Sequence, residues 1–303
     1  MDAKIKRAEG RLREDPYEGH QMLRTLVNRQ VKAKKHDDAV ALLYSGAKTL
    51  FEIEQTGSAA DLAIYMLDVY EKASYAASLD NKARALTLLG LFPAEEGARK
   101  QYVKKLLEWS KSAGPQGDKD VHFAVATMFV KWKEPASAEK HFVLGNEKSA
   151  RAYGETMYYW FTSDSSISPD TFAGRPVLNY LLAENLISAW NSLETFTKHF
   201  TKSNAPDVEN MSFDGKDFPV FKEYPQMNFL HLLIFTAYRK DKETYLSLVQ
   251  KYPKKQDWEA ALAKIEEIYF GIRPVSNQPN ILANLMSSLF SGPPAATNQL
   301  DLE

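Results

Sequence analysis

Cysteine is absent from these 303 residues. That absence excludes disulfides, Cys-based zinc sites and thiol chemistry, and it fits a reducing compartment. Long apolar runs are also lacking. The richest, Phe229 to Tyr238, is about half of the ~20 residues needed to span a bilayer, and it contains His231. Charge begins at Asp2, so the start of the chain does not read as a secretory signal. The expectation is a soluble, cytosolic protein without direct membrane insertion.

Catalytic signatures are missing as well. There is no Gly-x-x-x-x-Gly-Lys-Ser/Thr loop, no Gly-x-Gly-x-x-Gly turn and no Gly-x-Ser-x-Gly elbow. The six histidines (20, 36, 122, 141, 199 and 231) show no His-Glu-x-x-His or comparable ligand spacing. Carboxylates are plentiful, yet none is singled out as an acid/base pair. The expectation is no enzyme, no cofactor and no metal.

What the chain does have is an uneven charge distribution. Residues 1–35 hold ten Lys or Arg against five Asp or Glu, a balance of +5. The whole chain is at −1, so residues 36–303 carry −6, and no Lys or Arg follows Arg273. A basic head on an acidic body predicts an acidic partner for the head. The head lacks interleaved aromatics and the rest is acidic, which argues against nucleic acid.

Helical periodicity dominates. Ile5, Ala8 and Leu12 share a face, and Asp15-Pro16 breaks that helix. The second helix is expected to bury Met22, Leu23, Leu26, Val27 and Val31. Arg24, Asn28, Lys32 and Lys35 then fall opposite, with His20 and Arg29 at the edges. A third helix starts at Asp37 and turns Ala39, Leu42, Leu43, Ala47 and Leu50 inward. Residues 56–60 read as a break, with Asp61 or Ser58 capping a fourth helix. Further helices are expected at about 79–91, 95–112, 118–132, 134–146, 148–163, 168–184, 186–202, 226–240, 242–252 and 255–271. Tyr65, Tyr70, Tyr158, Tyr159 and Trp160 sit at helical spacing and read as core. Short helices with short connections make antiparallel neighbours. One weak repeat, Ala39 with Gly46 and Ala138 with Gly145, resembles the close packing of tetratricopeptide-like arrays.

One segment departs from this pattern. Asp214-Gly215 lies between strand-like residues, which predicts a β-hairpin over about 208–222. Pro219 cannot donate to a ladder and leaves one side of it open. Near the end, Ile281, Leu282, Leu285, Met286, Leu289 and Phe290 fit one face of a short amphipathic helix, in a tail that otherwise reads as disordered.

Several blocks carry a family likeness. His20-Gln21-x-Leu23-Arg24-Thr25-x-x-Asn28-Arg29, Ala39-Val40-x-Leu42, Gly46-Ala47 and Gly57-Ser58-x-x-Asp61-Leu62 resemble the Golgi-to-ER traffic protein four family. Its animal member is the 35 kDa subunit of the transmembrane-domain recognition complex. Ala138-Glu139-x-x-Phe142-x-Leu144-Gly145, Asn179-Tyr180-Leu181, Asn228-Phe229-Leu230-x-Leu232-Leu233 and the tail segment follow in the right order. The resemblance implies an all-α fold, an irregular tetratricopeptide-like right-handed α-solenoid of antiparallel helix pairs with one β-hairpin near its C-terminal end. It implies a scaffold in delivery of tail-anchored membrane proteins to the endoplasmic reticulum. The N-terminal helices would bind the homodimeric targeting ATPase. The C-terminal part would grip a ubiquitin-like partner subunit, which recruits a tetratricopeptide co-chaperone. The ATPase face would include His20, Arg24, Asn28, Arg29 and Asp61, with Lys32 on the same basic stripe. Candidates for the ubiquitin-like partner are Phe213, Phe218, Val220, Phe221, Leu282, Leu285, Met286, Leu289 and Phe290.

The expected division is an ATPase-binding half over 1–150, a partner-binding half over 151–274, and a tail over 275–303. The competing reading is a solenoid subunit of another large complex, of the proteasome-lid kind. Such subunits commonly end in a winged-helix sheet, whereas residues 226–271 read as helical.

Overall fold

The computed structural model describes residues 2–164, 166–204, 207–213, 215–252 and 254–273. Contacts divide the chain into two units. The first runs to Glu134 and adds Leu144–Asn146; the second is Pro135–Val143 with the residues from Glu147 on. The first unit contains helices α1 (Asp2–Glu14), α2 (Pro16–Lys32), α3 (His36–Glu52), α4 (Thr56–Lys72), α5 (Leu79–Leu91), α6 (Arg99–Ser110) and α7 (Lys119–Lys131). The second contains α8 (Pro135–Val143), α9 (Ser149–Ser163), α10 (Pro169–Leu182), α11 (Leu186–Asn204), strands β1 (Val208–Phe213) and β2 (Lys216–Phe221), then α12 (Pro225–Arg239), α13 (Lys242–Lys251) and α14 (Glu259–Phe270). The fold is all-α with one hairpin. Among the described residues β1 and β2 are the only strands, and the elements after them are helical.

Helices α2, α3 and α4 are each 17 residues long, and each begins 20 residues after the last. The order of buried and partly exposed positions over 36–50 repeats residue for residue over 56–70. The same turn closes the helices. Lys34, Glu54 and Ser74 adopt left-handed conformations, as do Lys133, Glu184 and Lys240 elsewhere. In each case the next residue donates its backbone N–H to the carbonyl five positions earlier: Lys35 to Gln30, Gln55 to Leu50, Tyr75 to Tyr70, Glu134 to Phe129, Asn185 to Tyr180 and Asp241 to Thr236. This is the Schellman arrangement, and it satisfies carbonyls that a helix end leaves orphaned. A two-residue reversal of this kind lays successive helices antiparallel.

Long-range side-chain bonds repeat at the length of two helices and two turns. Ser45 bonds Glu9, Tyr65 bonds Asn28, Lys105 bonds Asp68 and Lys82 bonds Asp118, at separations of 36 or 37 residues. In the second unit Arg175 bonds Glu139 at 36 residues and the Tyr180 hydroxyl bonds Phe142 O at 38. Each rung joins a helix to the one two places before it, which is the stacking rule of a helical repeat protein.

Local differences from the sequence reading have physical causes. Residues 56–60 are helical, because α4 starts at Thr56; Asp61 therefore lies inside α4 and caps nothing. Asp15 does act as an N-cap, accepting from Glu18 N at 3.0 Å. Met22 is exposed rather than buried. Gly46 lies mid-helix where a Cβ would stand 3.1 Å from both Leu23 and Leu62, so α3 can pack closely against α2 and α4. Gly145 lies outside any helix, in the bend after α8. Gly154 lets α9 approach α11 closely, since a Cβ there would lie 2.2 Å from Ser192 O on α11.

The hairpin pairs Phe213 with Lys216, Met211 with Phe218 and Asn210 with Pro219. Counting from the two-residue turn, Asn210–Pro219 is a non-hydrogen-bonded pair, so Pro219 loses no ladder bond. Its missing N–H falls on the outer edge. The hairpin is fastened to α12. The Asn228 side chain accepts from Phe221 N and donates to Phe221 O, both at 2.8 Å, taking the place of a further strand. Phe218 stacks on His231 at 5.0 Å between ring centres, and Phe221 meets Phe200 at 5.8 Å.

Candidate partner-docking face

The first unit presents a polar stripe over a tight apolar seam. Leu23 and Val27 of α2 and Leu62 and Met66 of α4 are buried. One helical step away, His20, Arg24 and Asn28 recur every fourth residue on α2, and Asp61 and Tyr65 do so on α4. Both helices pack on α3, which sets the two stripes side by side.

The stripes interlock. Asp61 Oδ2 lies 2.8 Å from His20 Nε2. Arg24 Nη1 donates to both Asp61 oxygens, at 2.5 Å to Oδ2. The Arg24 guanidinium lies over the Tyr65 ring, 5.4 Å from its centre. The Tyr65 hydroxyl donates to Asn28 Oδ1 at 2.6 Å. Burial raises the Tyr65 pKa above its ordinary value, opposed by the nearby Arg24 charge, so the hydroxyl keeps its proton at neutral pH. The Arg24 side chain retains 38% exposure and Asp61 37%, Asn28 is exposed, and His20 keeps only 12% and is the covered member.

Thus four of the six head candidates, His20, Arg24, Asn28 and Asp61, form one connected cluster. Arg29 and Lys32 do not join it; they are exposed, with no ion pair among the described residues. Tyr65, which periodicity assigns to the core, is half-exposed and central to the cluster. Its signal was its spacing: four residues after Asp61 and 37 after Asn28. Tyr70 and Tyr158 are buried as expected, whereas Tyr159 is exposed.

The second group of candidates is divided by burial. Phe218 and Phe221 are buried against the chain's own α11 and α12, where they hold the hairpin on. Val220 is half-buried, and Phe213 ends β1 opposite Lys216. Met211, on β1, is exposed. Leu282, Leu285, Met286, Leu289 and Phe290 lie outside the described residues. Among the described residues no group of His, Asp and Glu is arranged to hold a metal ion, and no helix is long and apolar enough to cross a membrane.

The family model for Golgi to ER traffic protein 4 matches residues 33–290. The chain belongs to this family. Two relatives in the Golgi to ER traffic protein 4 family span nearly the same length. The protein from Aspergillus fumigatus is 34% identical over 296 residues, covering 91% of this chain and 85% of that one. The Homo sapiens homolog is 30% identical over 305 residues, covering 94% and 86%. The fold resembles the crystal structure of C. therm. Get4, with a TM-score of 0.83, 32% identity, and coverage of 99% of this chain and all of that one. Of the six head candidates, Asp61 alone falls within the segment matched by the family model; the pairwise likenesses take in most of the chain.

Proposed function

We propose that this chain is a non-enzymatic scaffold in the delivery of tail-anchored membrane proteins to the endoplasmic reticulum. Its first unit engages the homodimeric targeting ATPase, and its second engages a ubiquitin-like subunit that recruits a client-bearing co-chaperone. Holding both on one frame raises the effective concentration for client transfer. Preference for one conformation of the ATPase would regulate its hydrolysis, since a ligand shifts an equilibrium only by differential affinity.

The observation that carries this reading is the interlocked cluster of His20, Arg24, Asn28, Asp61 and Tyr65 in a family member whose net positive excess lies in the head. Arg29 and Lys32 beside it supply a positive field that speeds encounter with an acidic surface. Arg24→Glu with Arg29→Glu is expected to weaken ATPase binding by about 2–5 kcal/mol per buried pair. The ubiquitin-like partner should stay bound. Unchanged ATPase affinity by calorimetry would remove this face from the interface.

A further inference from the structure

We infer that Asp61 and Tyr65 are positioning residues that hold the free edge of Arg24 ready for a single carboxylate of an acidic protein partner. The identity of that partner rests on the proposed function; the positioning does not.

The geometry divides the guanidinium into two edges. Nη1 is committed to Asp61, reaching both carboxylate oxygens. Among the described residues, Nη2 and Nε have no hydrogen-bond partner, and the side chain is 38% exposed. Those two donors form the parallel pair that a carboxylate accepts in a bidentate manner. Rotation about the committed edge is opposed by the attraction of the guanidinium to the Tyr65 ring, whose centre is 5.4 Å from the guanidinium carbon. That ring is itself pinned, because its hydroxyl donates to Asn28 Oδ1 at 2.6 Å. Asp61 is held from its other side by His20 Nε2 at 2.8 Å. Both Asp61 and Tyr65 therefore have a second anchor on α2.

This arrangement reads as a device for direction. Asp61 cancels the Arg24 charge, so the cluster contributes little long-range attraction. A rotamer-rich side chain normally loses its freedom on binding, and here that loss has occurred before the partner arrives. The positive field comes from Arg29 and Lys32, which are exposed and carry no ion pair among the described residues. Attraction and aim are thus assigned to different residues. A lysine at position 24 would keep charge without the fork.

Two measurements test this. In the unbound chain, the Arg24 Nε–H order parameter from 15N relaxation should be high, and should fall in Tyr65→Ala while staying near its original value in Tyr65→Phe, which keeps the ring. With the ATPase as probe, Tyr65→Ala should lose about 10-fold in affinity. Arg24→Lys should lose at least as much, and Arg24→Ala/Tyr65→Ala no more than Arg24→Ala alone. An order parameter indifferent to Tyr65→Ala would overturn the positioning. So would additive losses in the double variant, because Tyr65 would then touch the partner itself. If Arg24→Ala leaves ATPase affinity unchanged, the docking reading fails, and the order parameter alone decides whether Arg24 is held.

Discussion

Asp61 shows how one residue changes meaning with its place in the fold. At the start of a helix it would satisfy a backbone N–H; inside α4 it satisfies Arg24 and His20. Glu139 and Asn179 are similar. They stand in separate sequence blocks, yet both bond the Tyr153 hydroxyl, which is buried and held far above its ordinary pKa mainly by desolvation. The residue most exposed to pH is His231. Its ring is buried between Phe218 and Trp190, with a bond from Nδ1 to Met227 O, and burial lowers its pKa from 6.5 to about 4. Between those values the unfolded chain binds a proton that the folded chain refuses. Stability from this group is therefore complete above pH 6.5 and falls as pH drops toward 4, by about 3 kcal/mol. Urea denaturation between pH 7 and 4 should show that slope, and His231→Gln should flatten it. An equal slope in the variant would assign it to other groups.

Elements here are defined by how they stop. Seven helices among the described residues are followed by a left-handed residue, and only one of the seven, Gly271 after α14, is glycine. A side chain in that conformation costs about 1–2 kcal/mol, more for a β-branched residue. Ser74 already carries that cost, so Ser74→Val is expected to destabilise by about 1 kcal/mol through the added β-branched penalty, and Ser74→Gly should leave stability nearly unchanged, relief of strain offsetting the freedom gained by the unfolded chain. Both are read by chemical denaturation, and equal behaviour of the two variants would argue against the turn. Sequence reading placed most helices within a few residues, because periodicity and proline breaks are local signals. It missed the start of α4, since Gly57 and Ser58 look like a linker but sit on an exposed first turn. It also missed the 20-residue period of α2, α3 and α4, which is a period of burial and not of residue identity.

At the scale of the molecule, each unit carries its own candidate surface, the Arg24 cluster on α2 and α4 in the first and the hairpin in the second. The two are expected to act independently. Met211→Asp alters an exposed hairpin residue that pairs across the ladder with Phe218, and it leaves Phe221 and the Asn228 clip unchanged. It should reduce recovery of the ubiquitin-like subunit in a pull-down while leaving ATPase affinity unchanged. Loss of both together would mean that the surfaces are coupled. Excising the whole hairpin would also uncover Phe200 and His231, so the single substitution is the cleaner experiment.

By itself the sequence determined the all-helical class, the hairpin at Asp214-Gly215, the basic head and the family. These depend on periodicity, turn chemistry and order along the chain, which are properties of neighbours. Only the tertiary structure decided which residues meet. Tyr65 leaves the core because α2 and α4 lie side by side on α3. Phe218 and Phe221 are buried because α11 and α12 cover them. Arg24 gains a direction as well as a charge. Bonds across 35 or more residues depend on how helices stack, and that is set by burial summed over whole elements.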